Sequence, residues 1–247
     1  MIISASRRTD IPAFFSDWII NRFSKQYAYV RNPMNIHQIS KINLSPDVVD
    51  CIVFWSKNPK PMVDKLTALT DYMYYFQFTL NAYDKDLETN LPDLNTRIDT
   101  FQTLSNLIGK KRVVWRYDPI IVNDKYSIDW HVEQFEYLTK QLCHYTEKIT
   151  ISFIDLYAKI SHNINEKNIY ELSYTQKDII SNKFAQIAHS HNLVIDTCAE
   201  DIELSSYGIE HARCIDDRLI SKLLHCSIDM EKDKNQRLNC GCITSID

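Results

Sequence analysis

The residues with the clearest chemical potential in this sequence are its cysteines, because five of the seven lie after residue 197. In an intracellular protein, such a cluster indicates metal or redox chemistry more than disulfide bonds. Four thiolates suffice for a zinc ion or an iron–sulfur cluster. We therefore predict a metal site formed by Cys198, Cys214, Cys240 and Cys242, with Cys226 outside it. The alternative is that these are ordinary buried thiols, since a C-x-C pair is a weak signal taken alone.

A second group of candidate residues consists of polar side chains that follow predicted strands. Arginine forks hold carboxylates and phosphates through two parallel hydrogen bonds, so this group predicts a cavity for an anionic small molecule or a nucleotide. The alternative is that the Arg–Asp pairs are structural and fasten loops. The predicted ligand-binding residues are Arg7, Arg8, Asp10, Lys57, Asn58, Arg116, Asp118, Glu200 and Asp216.

The glycine content excludes several classes of nucleotide-binding protein. Only Gly109, Gly208 and Gly241 occur, so neither a P-loop nor a G-x-G-x-x-G fingerprint can be formed. A G-x-S-x-G elbow and an H-E-x-x-H pair are also absent. A hydrolytic triad and a histidine zinc site therefore have little support, whereas acid–base catalysis by Asp or Glu in a metal-free enzyme stays open.

The charge distribution leaves a further alternative. The net charge is −4 and the isoelectric point is about 6.1, so there is no overall nucleic-acid signature. Residues 1–65 nevertheless carry nine Lys or Arg against five Asp or Glu. A non-catalytic module that binds a nucleotide or a nucleic-acid backbone is thus the second hypothesis.

The elements that must position these residues alternate between strands and helices. Strands are predicted at 2–5, 27–30, 38–44, 50–55, 74–80, 112–115, 148–153, 193–197 and 213–215. Helices are predicted at 62–69, 96–108, 129–142, 175–189 and 216–224. Apolar strands separated by helices favour a parallel sheet, and polar residues after nearly every strand favour a barrel over an open doubly wound sheet.

The predicted fold is therefore a single α/β domain over residues 1–247. It is (β/α) barrel-like and related to TIM barrels, with six to eight mainly parallel strands. Residues 226–247 form an irregular, cysteine-containing tail. The apolar runs are too short to span a bilayer, and the basic residues of MIISASRRTD follow its apolar stretch, unlike a signal peptide. We expect a cytoplasmic protein without a membrane partner.

Several long segments, in this order, resemble a bacterial family of unknown function, domain of unknown function 1848. The resemblance covers nearly the whole chain. The segments are IISASRRTDIPAF, VRNP, DCIVFWSKNP, YYFQFTL, RVVWRYDPI, ISFIDLY, DTCAEDIELSSYGIEHARCID and KDKNQRLNCGC.

The resemblance implies more than the residues do by themselves. Longer members of the family continue into a cysteine cluster similar to the C-x3-C-x2-C of radical S-adenosylmethionine enzymes, which holds a 4Fe–4S cluster inside a (β/α) barrel. This sequence has no C-x3-C-x2-C and no glycine-glycine-acid segment. The resemblance thus implies radical-SAM-like ancestry in a natural short form or a fragment, without predicting S-adenosylmethionine binding. It assigns the TCAE, CID and CGC cysteines as ligands for a cluster or zinc.

Overall fold

The computed structural model of the protein describes residues 1–6, 9–32, 35–155, 167–234, 236–237 and 239–246. Its main sheet has seven parallel strands whose order across the sheet is their order in the chain. They are β1 (Ile2–Ala5), β4 (Cys51–Ser56), β5 (Tyr74–Thr79), β6 (Val113–Ile120), β7 (Lys148–Phe153), β8 (Val194–Thr197) and β9 (Glu210–His211). A separate antiparallel pair consists of β2 (Tyr27–Arg31) and β3 (Ile39–Asn43).

Within the described residues there are seven α-helices, of which the first six connect strands and the seventh follows β9. They are α1 (Ile11–Phe14), α2 (Ser16–Lys25), α3 (Lys60–Val63), α4 (Leu94–Ile108), α5 (Ile128–Leu142), α6 (Tyr174–Ser190) and α7 (Asp217–Leu224), with 3-10 turns at Leu66–Leu69, Lys110–Arg112 and Ser205–Tyr207. The side chains of Asp93, Ser127 and Ser173 cap the first turns of α4, α5 and α6, which explains where these helices begin. Within the same part of the chain, no helix combines the length and the apolar character needed to cross a membrane.

The two faces of the sheet are covered by different parts of the chain. Alternate strand residues such as Ile52 and Phe54 pack with α2 to α6, on what we call the helix face. The residues between them, including Val53 and Tyr75, pack with α7 and the C-terminal tail (residues 226–246), on the tail face. Parallel strands in sequential order with right-handed crossovers place their helices on one side, so the other side is left for the tail.

The C-terminal tail also contacts the chain at both edges of the sheet. The Ile246 N–H donates to Ile2 O over 2.9 Å, and Ile246 O accepts from Ser4 N–H over 2.8 Å. The Ile243 N–H donates to Ile215 O over 3.2 Å. The tail thus contacts both β1 and the segment after β9, but the described strands do not form a closed sheet. The predicted α/β class with a mainly parallel sheet is confirmed, whereas closure into a barrel is not shown.

Most predicted elements are present, and two are wrong in detail. The strand expected at 213–215 lies instead at Glu210–His211, because the Cys214 carbonyl accepts side-chain hydrogen bonds from Tyr75 and Gln77 and does not join a ladder. The helix expected at 62–69 is divided into α3 and a 3-10 turn. Part of the connection expected at 160–172 lies outside the described residues.

The buried imidazole of His131 leads to a prediction about stability against acid. Its Nε2 lies 2.8 Å from Ile121 O and its Nδ1 lies 2.8 Å from the Tyr117 hydroxyl. A carbonyl can only accept, so Nε2 carries the proton and Nδ1 accepts from Tyr117. Burial lowers the pKa of His131 from 6.5 to about 4, against the opposing hydrogen bond to Ile121.

Because the unfolded chain takes up this proton below about pH 6.5 and the folded one only near pH 4, stability should fall as the pH drops through that window. Across this pH window, protonation of His131 should lower the free energy of unfolding by about 3 kcal/mol. We expect urea unfolding midpoints to decline less steeply between pH 6.5 and pH 4 in His131→Gln than in the wild type. The exposed His144 provides the control His144→Gln, which should keep the wild-type slope. Equal slopes in all three proteins would contradict the prediction.

Candidate thiol site

The four predicted metal-ligating cysteines come from three separate segments and meet on the tail face. Cys198 directly follows β8, and its Sγ lies 3.4 Å from the Sγ of Cys214, in the segment after β9. The Cys242 thiol shifts the pKa of both the Cys214 thiol and the Cys240 thiol, so it lies close to each of them. Cys198, Cys214, Cys240 and Cys242 are therefore neighbours, and the sulfurs of Cys198 and Cys214 are in direct contact. We call this group the thiol site.

Backbone contacts hold the segments of the thiol site together. The Ile215 N–H donates to Cys242 Sγ over 3.5 Å. The carbonyl of Cys214 accepts from the Tyr75 hydroxyl and from Gln77 Nε2, both at 2.7 Å. A Cβ at Gly241 would lie 2.7 Å from Arg213 Cγ, which is closer than atoms can approach. Glycine between the two cysteines therefore allows the C-G-C turn to lie against residue 213.

Arg116 on β6 is the charged group in contact with the thiol site. Its Nη1 donates to Cys214 Sγ over 3.0 Å, and its Nε donates to Asp118 Oδ2 over 2.9 Å. The guanidinium also lies over the Trp55 ring, 5.1 Å from the ring centre. Arg116 is only 4% exposed, so its charge needs a partner. Asp118 provides the counter-charge with one oxygen, and its other oxygen accepts from Ser152. Burial raises the pKa of Asp118, but Arg116, Ser152 and Lys57 together outweigh it and the net pKa is lowered.

The four thiols differ in how readily they ionise. The neighbouring Cys242 thiol lowers the pKa of Cys240 to about 7, although burial opposes it. The Cys198 thiol lowers the pKa of Cys214, but the Cys242 thiol and burial raise it to a net value of about 11. The contact with Cys214 and burial both raise the pKa of Cys198. Without a metal, Cys240 is therefore the thiol that ionises most easily at neutral pH.

The thiol site matches a metal in donor type, but its present arrangement is not a finished coordination shell. A tetrahedral zinc with Zn–S bonds of about 2.3 Å places its sulfur ligands about 3.8 Å apart, close to the 3.4 Å between Cys198 and Cys214. Within the described ranges, however, no group of three or more His, Cys, Asp or Glu side chains is arranged to hold a metal ion. Sharing one ion would therefore require the four side chains to move closer together.

Three other predicted residues lie in the loops after β1 and β4. Asp10 accepts from the Ala13 N–H over 3.0 Å, which caps α1, and from the Lys57 N–H over 2.8 Å. The Lys57 ammonium lies 2.8 Å from Glu88 Oε1. The Oδ1 of Asn58 is buried and has no hydrogen-bond partner among the described residues. Arg7 and Arg8, which were predicted to belong to the same group, lie outside the described residues.

Glu200 lies in a neighbouring cavity of about 570 Å³. Its Oε1 accepts from the Phe153 N–H over 2.8 Å, and its Oε2 lies 3.5 Å from Lys177 Nζ. Burial raises the pKa of Glu200, against these two partners. The side chain of Asn239 donates to the Glu200 carbonyl over 3.2 Å. This cavity therefore shares a wall with the tail segment that carries Cys240.

Asp216 lies away from the other predicted ligand-binding residues. It caps α7 by accepting from two backbone N–H groups, and its Oδ2 lies 3.1 Å from Lys148 Nζ. Lys148 is the first residue of β7, so this carboxylate is at the amino end of the sheet. The expectation that Asp216 follows a strand at the carboxyl end is not met, because the chain turns back across the tail face after β9 and the Asp216 N–H reaches the Tyr75 hydroxyl.

Sequence reasoning missed several residues that shape this region. Gln77 and Ser152 contact the thiol site or its Arg–Asp pair, and Glu88 joins Lys57 to the buried Arg97. For the polar residues that lie within strands, the sequence did contain a signal. Polar side chains at alternate positions inside apolar strands, such as Gln77 in YYFQFTL, indicate one polar face.

Comparison with known proteins places this α/β chain in a family. The family model described as "Domain of unknown function (DUF1848)" matches residues 2–247, so the chain belongs to that family. No curated protein matches the sequence. Among solved structures, a provisionally assigned alpha-L-fucosidase from Bacteroides thetaiotaomicron is similar, with 10% identity over 90% of this chain and 82% of the other and a TM-score of 0.35. A similarity this low carries no functional argument.

Proposed function

We propose that this chain is a metal-binding α/β protein in which Cys198, Cys214, Cys240 and Cys242 hold a single zinc ion beside the Arg116–Asp118 pair. The observation that carries the proposal is the convergence of cysteines from three segments, with 3.4 Å between the sulfurs of Cys198 and Cys214. Chance burial of small apolar thiols does not require four of them to gather on one face of the sheet.

The sulfur separation favours zinc over an iron–sulfur cluster. Ligands of one tetrahedral ion lie about 3.8 Å apart, whereas each cysteine of a 4Fe–4S cluster binds a different iron atom and the sulfurs lie farther from one another. The short Cys198–Cys214 distance therefore supports a shared single ion. Iron–sulfur ligation, which the family resemblance implies, is the alternative for the same residues.

Charge balance also supports a metal at this position. Four thiolates and Zn²⁺ carry a net charge of about −2, which needs nearby donors in a buried site. Arg116 donates to Cys214, and the Ile215 N–H donates to Cys242. When bound, the ion would cross-link the segments after β8 and β9 to the C-terminal tail. A closed four-thiolate site stabilises a fold and leaves catalysis to neighbouring groups.

Two wider proposals follow from the same arrangement. The tail contacts both β1 and residue 215, which supports a barrel-like arrangement completed by the tail. Together with the family resemblance, a barrel-like arrangement supports an enzyme, or the remnant of one, of radical-SAM-like ancestry, and we propose a cytoplasmic location for it. Its reaction would use groups near the thiol site.

The two alternative functions have weaker support in the described residues. For anion binding, the charges of Lys57 and Arg116 are already paired with Glu88 and Asp118, so that hypothesis now depends on Arg7 and Arg8. For metal-free acid–base catalysis, the specific observation is Glu200, a buried carboxyl with a raised pKa at the wall of a polar cavity.

The test is the metal content of the wild-type protein purified without oxygen and without chelators. Zinc and iron are measured by mass spectrometry, acid-labile sulfide by colorimetry, and the visible spectrum is recorded. We expect about one zinc per chain and no colour. About four irons per chain, together with sulfide and a broad visible band, would show that the site holds a 4Fe–4S cluster and not zinc. No metal after purification, and none after incubation with zinc under reducing conditions, would refute the proposal.

A further inference from the structure

We infer that Arg116 is a positioning residue of the thiol site, whose N–H···S hydrogen bond to Cys214 sets the affinity and the electronic state of the bound metal. This inference rests on the proposed metal site. It goes further by assigning a role to a residue that is not a ligand, and by predicting opposite effects for the two members of the Arg116–Asp118 pair.

The geometry fixes the guanidinium from three directions. One edge donates to Asp118, Nη1 donates to Cys214 Sγ over 3.0 Å, and the flat face lies over Trp55. The Trp55 indole is held in turn by its Nε1–H, which donates to the Ser4 hydroxyl over 3.3 Å. An arginine side chain restrained in this way has little freedom left, so it can hold the sulfur of Cys214 in one orientation.

The chemistry of the contact is that of a charged donor on a metal ligand. A hydrogen bond to a thiolate withdraws electron density from sulfur and reduces its repulsion with the other thiolates. A hydrogen bond from a charged donor is roughly twice as strong as one from a neutral donor. The Arg116 hydrogen bond to Cys214 should therefore be stronger than that of the Ile215 N–H, which lies 3.5 Å from Cys242. Loss of a group that orients a metal ligand costs about 10–100-fold in metal affinity.

Asp118 acts in the opposite sense, because it competes for the positive charge of Arg116. Its Oδ2 accepts from two nitrogens of the guanidinium, and its Oδ1 accepts from Ser152. An asparagine at residue 118 removes the negative charge and keeps a similar shape. The uncompensated Arg116 charge would then act on the thiolates alone, so metal binding should become tighter.

The experiment is a titration of reduced, metal-free protein with Co²⁺, which replaces zinc and has sulfur-to-cobalt charge-transfer bands. Arg116→Gln should bind about 10–100-fold more weakly, with the band shifted to lower energy because the thiolate becomes a better electron donor. Arg116→Lys should lie between this variant and the wild type. Asp118→Asn should bind more tightly, with the band at higher energy.

A matched control is Arg213→Gln, because Arg213 also lies against the thiol site but pairs its guanidinium with Asp217. It should leave the band energy unchanged. If the wild type binds neither cobalt nor zinc, the proposed function fails and this inference fails with it. If the wild type binds and Arg116→Gln keeps its affinity and band, only the inference is overturned. Should Arg116→Gln fail to fold, unchanged bands in Arg116→Lys and Asp118→Asn would overturn it.

Discussion

Protein in which Cys198 and Cys214 are both replaced by serine is expected to purify without metal, whereas the wild type retains about one zinc per chain. Serine keeps the size of the side chain but offers a poor zinc ligand. The two remaining thiols, Cys240 and Cys242, belong to one turn and cannot complete a tetrahedral shell. Because structural zinc contributes to folding free energy, the melting temperature of this variant should also lie below that of the wild type.

The matched control removes the same number of thiols elsewhere. Cys143 is half-buried and Cys226 is exposed, so Cys143→Ser with Cys226→Ser should keep the metal content and the melting temperature. A chelator should lower the melting temperature of the wild type and of this control, but not that of the Cys198 and Cys214 double variant. Full retention of metal in that double variant, or equal loss in both double variants, would count against the thiol site.

The Glu88→Gln variant is expected to lose about 3–5 kcal/mol of unfolding free energy, the cost of breaking a buried ion pair on one side. Glu88 contacts Arg97 Nη1 and Lys57 Nζ, each at 2.8 Å. The side chains of Glu88 and Arg97 are only 5% and 3% exposed, and Arg97 Nε already has no hydrogen-bond partner among the described residues. Glutamine would leave the Arg97 charge buried without a counter-charge.

Urea denaturation at neutral pH measures this effect. The control is Glu136→Gln, since Glu136 forms an exposed pair with Lys140 on α5 and its loss should change stability little. Replacement of both buried partners, Glu88→Leu with Arg97→Met, should be less damaging than Glu88→Gln because no charge stays buried. A Glu88→Gln protein as stable as the Glu136→Gln control would show that the pair contributes little.

The local elements of this protein were readable from sequence because their signals are local. The run CIVFWS at Cys51–Ser56 is apolar without interruption, as expected for a parallel strand that is covered on both faces. The helices at Leu94–Ile108 and Ile128–Leu142 begin after Asp93 and Ser127, which cap them through contacts three residues apart. The α/β class and the parallel sheet follow from the alternation of such segments.

The contacts of the candidate site depended on the tertiary structure. The sequence by itself grouped Cys198 and Cys214, near strand ends, with the C-G-C pair Cys240 and Cys242, and only the fold shows that the sulfurs of Cys198 and Cys214 touch. Arg116 meets Cys214 across 98 positions of the chain, and Asp216 lies at the amino end of the sheet beside Lys148. Such contacts depend on how the chain turns back after β9 and how the tail covers the sheet, and no local spacing of residues encodes that path.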